Sequence, residues 1–320
     1  MAMKKFSVVV PAHNEEKNVG VLFEEIKSCI DAMPEKYDWE LIFVDDGSRD
    51  NTVGAVKALI ATSRKVRLVQ LSRNFGHQAA LMAGLTAARG DAVISMDCDL
   101  QHPPRYVPEM IRLWRDGALV VEMERKRTEG ISFAKHMFSV GFYKFINKLS
   151  SVPIREGVSD FRLLDRAAVD ALVKINDPKP FIRGLIAWLG FKPKTIHYVA
   201  EERRHGVPSY NFKKSLRLAH QALMSLSHEP LRFSIYASAL LFALCVVYLV
   251  YVVAVTMRGG VIPGWPSVII SVLVLGAIQM MSLGVLGEYV AQIFERTRNL
   301  PPFVALPEYD PDSEEGAKHE

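Results

Sequence analysis

The sequence predicts an α/β domain with a mainly parallel sheet and helices on both faces, followed by a two-helix transmembrane hairpin. Three observations predict it. Short β-branched runs alternate with helical stretches in the early part of the chain, the pattern of βαβ units with right-handed crossovers. Polar residues cluster directly after those runs. Further along, two long stretches carry no charged side chain.

Phe6 to Val10 (FSVVV) is the first strand, closed by Pro11 and an Asn-Glu-Glu turn that leads into a helix over Val19 to Ala32. Leu41 to Val44 is a second buried strand, closed by Asp45-Asp46-Gly47-Ser48. A helix over Thr52 to Ile60, a strand over Val66 to Leu71 and an Ala-rich helix over His77 to Ala88 follow, then a fourth strand, Ala92 to Met96. Ligands of such sheets bind beyond the carboxyl ends of the strands. Asn14 and Glu15, Asp45 and Asp46, and Asp97 and Asp99 all fall there, so they are expected to share one site. The Asp97-Cys98-Asp99 triplet offers two carboxylates to a hard cation, and Mg²⁺ or Mn²⁺ typically bridges a few carboxylates and substrate phosphates. Asp46 is placed to accept hydrogen bonds from a nucleobase or ribose, and Arg73 and Asn74 to meet phosphate or sugar hydroxyls.

Phe233 to Met257 and Gly259 to Gly287 are the uncharged stretches, each long enough to span a bilayer, which takes roughly 20 apolar residues. Tyr248, Tyr251 and Trp265 lie towards the connecting loop, where interfacial aromatics sit. Lys213, Lys214, Arg217 and Arg232 precede the hairpin, Arg296 and Arg298 follow it, and Arg258 is in the loop. The positive-inside bias therefore predicts a multi-pass membrane protein with both termini in the cytoplasm, and the membrane expected for it is the inner (cytoplasmic) one. The expected domains are a catalytic region over 1–211, a juxtamembrane amphipathic helix over 212–231, the spans over 232–289 and a C-terminal segment over 290–320. The helix rests on Phe212, Leu216, Ala219, Leu223 and Leu226. Phe138, Phe142, Phe145 and Leu149 repeat similarly, and Glu308 to Glu320 reads as a disordered acidic tail.

Composition narrows the function. Of 320 residues, 49% are hydrophobic and 23% charged, which excludes a disordered chain. A net charge of +4 leaves no nucleic-acid footprint. Cys29, Cys98 and Cys245 share no metal or redox spacing, and no secretory leader is expected, since Glu15 and Glu16 soon end the apolar run after Lys4 and Lys5. His77, His102, His197 and His205 have no ligand spacing and read as structural.

The runs VVVPAHNEEKNV, FVDDGSRDNT, RNFGHQAALMAGLTAARGD and DCDLQHPP together resemble the nucleotide-diphospho-sugar domain of glycosyltransferase family 2, the GT-A Rossmann-like fold. GVSDFRLLDR, FIRGLIAWLGF and LGEY resemble its polyisoprenyl-phosphate glycosyltransferase branch. The resemblance implies transfer of a sugar from a nucleotide donor to a membrane-embedded lipid phosphate, with UDP-glucose and undecaprenyl phosphate the favoured pair, and a homo-oligomer. It assigns Pro11, Asn14, Glu15, Asp46 and Gln101 to the donor, and Asp97 and Asp99 to the metal and diphosphate. Asp160 is assigned to the sugar and acceptor, as a base or as an orienting group. Arg125, Arg127, Arg203 and Arg204 are assigned to the acceptor phosphate. One departure stands out: relatives commonly show Gly-x-Ser-x-Tyr, whereas Gly206-Val207-Pro208-Ser209-Tyr210 puts proline in place of the serine.

A processive polysaccharide synthase would carry a Gln-x-x-Arg-Trp motif and more spans, and a nucleotidyltransferase a Gly-rich basic first loop. Alternatives left open are GDP-mannose or an aminosugar donor, and a non-catalytic membrane adaptor that binds nucleotide sugars.

Overall fold

Neighbouring residues of the strands bury themselves on opposite faces of the sheet. In β1 (Lys5–Ala12), Phe6, Val8 and Val10 enter one apolar cluster while Val9 enters the other. A strand covered on both faces reads as a continuous apolar run, which is why FSVVV does not alternate. The computed structural model describes residues 4–125, 158–175, 177–178, 180–199, 229–258 and 264–309.

The remaining elements of this unit are α1 (Glu16–Asp31), β2 (Asp38–Asp45), α2 (Thr52–Thr62), β3 (Val66–Gln70), α3 (His77–Ala87) and β4 (Ala92–Ser95), then α4 (Val107–Arg115), β5 (Val120–Arg125), β6 (Val158–Asp165), α5 (Arg166–Val173), α6 (Ile182–Trp188) and β7 (Lys194–Tyr198). The strands form one sheet in the order β3-β2-β1-β4-β6-β5-β7. β1, β2, β3 and β4 pair in parallel, β6 runs antiparallel to both β4 and β5, and β7 is parallel to β5. The sheet is mainly parallel, as expected, with β6 as its reversed strand. Helices α1, α2 and α4 cover one face with Leu22, Ile26, Val56 and Trp114. Helices α3, α5 and α6 cover the other with Leu81, Leu85, Val169 and Ile186. Gly84 allows α3 to lie close: a Cβ there would stand 2.2 Å from Val9 Cγ1.

A second unit holds α7 (Glu229–Met257) and α8 (Trp265–Thr297), which pack against each other. Within α8, Val274–Thr297 is long and apolar enough to cross a membrane, with a mean hydropathy of 1.4. The apolar stretch of α7 runs over Leu240–Val255. Phe242 is 73% exposed and Met280 68%, an apolar surface of the kind an apolar medium covers. α8 continues past the expected end of the span at 289, and residues 300–309 belong to the first unit. The tail expected to be free from Glu308 is held at its first residues: Glu308 pairs with Arg67, and Tyr309 packs on the apolar cluster beneath α2. Residues 212–228, which carry most of the expected juxtamembrane helix, and the Phe138–Leu149 repeat lie outside the described residues.

Candidate active site

The parallel strands β1, β2 and β4 all end at one edge of the sheet, and the loops that leave β1 and β2 are tied to each other there. Pro11 is buried in β1 opposite Val44. Asn14, in the left-handed region at φ 58°, donates its N–H to Ser48 Oγ (3.0 Å) and accepts from Arg49 N through Oδ1 (2.8 Å). Such a conformation is tolerated by Asn because its short amide bonds locally. The Glu15 N–H donates to Thr52 Oγ1 at 2.9 Å, and its Oε2 accepts from Asn18 Nδ2 at 2.5 Å, which fixes the start of α1. His13 Nδ1 donates to the Asp46 carbonyl at 2.9 Å, leaving Nε2 to accept from Asn14 Nδ2 at 3.2 Å.

Asp46 is only 4% exposed, and its carboxylate is turned inwards onto the loop after β3. It accepts from Phe75 N at 2.7 Å and from Gly76 N at 2.9 Å. Burial raises its carboxyl pKa, and these backbone donors only partly oppose that. In this structure Asp46 therefore shapes the loop that presents exposed Arg73 and Asn74, instead of offering a free carboxylate. Arg73 lies 4.0 Å over the Phe75 ring.

The reversed strand β6 brings in the rest. Ser95 pairs with Arg162, so two residues further along Asp97 and Asp160 meet at the same end. Asp160 is 5% exposed and surrounded by donors. Arg183 grips it with Nε and Nη2 at 2.9 Å each, and Arg162 Nη2 stands at 3.1 Å. Gln78 Nε2 donates at 3.2 Å while its Oε1 accepts from Ile182 N, so α6 is held to the same carboxylate. His77 Nε2 lies 3.3 Å from Asp160 and 3.5 Å from Asp97. Burial alone would push the Asp160 carboxyl up, but Arg183, His77 and Arg162 outweigh it and hold it well below the usual range. The same two carboxylates overcome burial at His77 and raise its pKa to about 9. Arg162 is 1% exposed, and its Nε and Nη1 find no partner among the described residues.

His77, expected to be structural, thus sits between the two acids most central to the site. His102 is structural: its Nδ1 accepts from Asp97 N at 2.9 Å and its ring stacks on Phe161 at 5.1 Å. Asp97 keeps a side chain 34% exposed, whereas Asp99 is 8% exposed and accepts from Gln101 N at 3.1 Å across Leu100, at φ 62°. No cluster of three or more His, Cys, Asp or Glu ligands occurs among the described residues. The donor set fits a Mg²⁺ or Mn²⁺ held by one or two carboxylates and completed by a diphosphate, not an all-protein cage. Arg125 is exposed at the carboxyl end of β5, on this edge; Arg127, Arg203 and Arg204 lie outside the described residues. Arg183, Arg162 and Gln78 were not singled out from sequence.

A mainly parallel sheet with acidic turns at one edge, followed along the chain by two apolar helices, is the architecture of a GT-A glycosyltransferase with a C-terminal hairpin, and the family matches agree. The glycosyl transferase family 2 model matches residues 7–173, and the GtrB C-terminal hairpin model residues 229–293. The chain belongs to glycosyl transferase family 2. It is 37% identical over 299 residues to the putative glycosyltransferase CsbB of Bacillus subtilis (strain 168), covering 93% of this chain and 90% of the relative. It is 34% identical over 301 residues to the SfII prophage-derived bactoprenol glucosyl transferase of Shigella flexneri, covering 94% and 97%. It is 35% identical over 307 residues to the prophage bactoprenol glucosyl transferase homolog of Escherichia coli (strain K12), covering 94% and 98%. Among solved structures, glucosyl-3-phosphoglycerate synthase from Mycobacterium tuberculosis in complex with Mn²⁺, UDP and phosphoglyceric acid is 20% identical with a TM-score of 0.47, covering 69% and 76%.

Proposed function

We propose that this enzyme moves a glucosyl group from a nucleoside-diphosphate donor, UDP-glucose, to the phosphate of a polyprenyl lipid of the bactoprenol type, at the cytoplasmic face of a membrane that its hairpin spans. The observation that carries this reading is the likeness to bactoprenol glucosyl transferases, which runs through the catalytic unit and the hairpin together.

The site's own groups support the chemistry. Arg73 and Asn74 face solvent beside the β1 and β2 turns, where the nucleotide half of a donor would lie. Asp97 and Asp99 would hold Mg²⁺ or Mn²⁺, which when bound supplies charge for the departing diphosphate. A phosphomonoester has a second pKa near roughly 6 and is mostly a dianion at neutral pH, so the acceptor needs no general base. Asp160 is suited to a different task. A carboxylate gripped by Arg183 and Arg162 is a poor proton acceptor, and instead it fixes those guanidiniums and His77 around the reacting centre. Arg125, with Arg127, Arg203 and Arg204, would receive the acceptor phosphate, since guanidinium groups bind it bidentately. Attack opposite the leaving nucleotide inverts the anomeric carbon.

The test is a radiolabel transfer assay on detergent-purified protein. It offers UDP- and GDP-sugars with undecaprenyl phosphate and Mg²⁺ or Mn²⁺, alongside a chelator control. Label should enter the lipid from UDP-glucose and vanish with chelator. Transfer from GDP-mannose alone would overturn the donor assignment, retained configuration in the product would overturn the single displacement, and no transfer from any donor would overturn the reading.

A further inference from the structure

The chain after the hairpin returns to the catalytic unit and lies along the open edge of β3. Val304 O accepts from Ser72 N at 2.9 Å, Leu306 N donates to Gln70 O at 2.8 Å, and Ala305 bridges Leu71 in antiparallel register. Phe303 packs on the same apolar cluster as Phe75. The far end is fastened by charge. Glu308 takes Arg67 Nε at 2.6 Å and Nη2 at 3.2 Å, and Arg67 is itself held from below by buried Glu40 at 2.9 Å. Arg89 stands 3.7 Å from Glu308, and Lys57 lies 4.1 Å over the Tyr309 ring.

These contacts end where the Ser72–Gly76 loop begins. That loop is fastened within the catalytic fold by the Asp46 carboxylate, which holds Phe75 and Gly76, and by Asn74 on the His13 ring at 3.2 Å, while at its start Val304 O holds Ser72. Arg73 and Asn74 lie between Ser72 and Phe75. We propose that residues 303–309 form a positioning strap that sets the affinity for the nucleotide-diphospho-sugar without touching it, by fixing the loop that bears Arg73 and Asn74. A loop released at one end must be ordered again on binding, so the loss falls on donor affinity and not on the bond-making step. This rests on the donor lying over that loop, as in the function proposed above.

The test uses the full chain in detergent. Leu306→Pro removes the N–H that bonds Gln70 O, and Glu308→Lys reverses the ion pair with Arg67. Donor Kd is measured by calorimetry with UDP-glucose and with GDP-mannose in Mn²⁺, alongside kcat, both KM values and amide hydrogen exchange. Both variants should bind the wild-type donor about tenfold more weakly, a typical effect of one lost ordering contact, with kcat and acceptor KM unchanged. Exchange at Ser72, Phe75 and Gly76 should quicken, and Glu308→Gln, which keeps a hydrogen bond to Arg67, should recover most of the affinity. Faster exchange with unchanged donor Kd would overturn the strap's role and leave the function standing, as would a fall in kcat at unchanged Kd. A wild-type chain that binds neither donor would overturn both.

Discussion

Replacing Asp160 by Asn keeps its shape and removes the buried charge on which Arg183, Arg162 and His77 converge. Arg162 is 1% exposed, so the variant leaves a buried cation without its nearest counter-charge, while the more exposed Arg183 and His77 lose the same partner. Removing one partner of a buried pair costs about 3–5 kcal/mol. Spread over a unit of this size, that lowers the melting temperature by roughly 6–20 °C. The pH dependence follows from the sign of the shift. A carboxyl held below its unfolded value stabilises the fold above about pH 4 and loses that contribution as the solution becomes more acidic, so wild type and variant should converge there. His77 behaves oppositely in chelator: raised from 6.5 to about 9, it stabilises fully below pH 6.5 and stops doing so as pH rises through about 9. Asp160→Asn should flatten that alkaline decline. The assay is thermal unfolding from pH 3 to 10, paired with sugar transfer. Turnover should be lost in the variant, and the wild-type rate should show no acid limb beyond the one near roughly pH 6 set by the acceptor phosphate. A variant that melts with wild type would refute the cluster argument, and a further acid limb traced to Asp160 would make it a base after all.

Asp97→Asn should abolish transfer while leaving the melting temperature within a few degrees, because that side chain is 34% exposed; retained turnover in Mg²⁺ would remove the acid from the metal site. Gly47→Ala should weaken donor binding, read by calorimetry. Its φ is +66° and a Cβ would stand 2.6 Å from Asn74 N, so the loop bearing Arg73 must shift. Gly84→Ala should cost about 1–3 kcal/mol in chemical unfolding through overpacking, with donor affinity kept, since the added carbon would stand 2.2 Å from Val9 and 2.9 Å from Val44, away from the cleft.

The strands and helices through Met96 were legible because each is a local pattern. An apolar run closed by a polar turn needs no tertiary partner to be recognised, and the acidic turns after β2 and β4 announce one edge. The core of the site was less legible. Asp160, His77, Gln78 and Arg183 come from β6, α3 and α6, and they converge only because β6 runs backwards between β4 and β5. No spacing in the chain encodes that crossing. A weak signal did exist: Asp160 and Arg162 are two apart on a strand, hence on one face, and a buried acid beside a buried base implies a pair. For Asp46 the sequence pointed to the right edge of the sheet but not to its backbone partners, Phe75 and Gly76, which are invisible to any residue pattern. The segment Val304–Leu306 is too short to read as a strand without β3 beside it.

That strap also imposes an order on biogenesis. β3 is the outer strand of its sheet, and the backbone that covers it is made roughly 230 residues later, after both hydrophobic helices. At about 5–20 residues per second, the edge stays bare for tens of seconds of synthesis. During that interval it is an open template for another chain, the hazard that edge strands carry. The last part of the sheet closes only when the hairpin has been synthesised, so a nascent chain stalled within those helices would carry that edge unpaired.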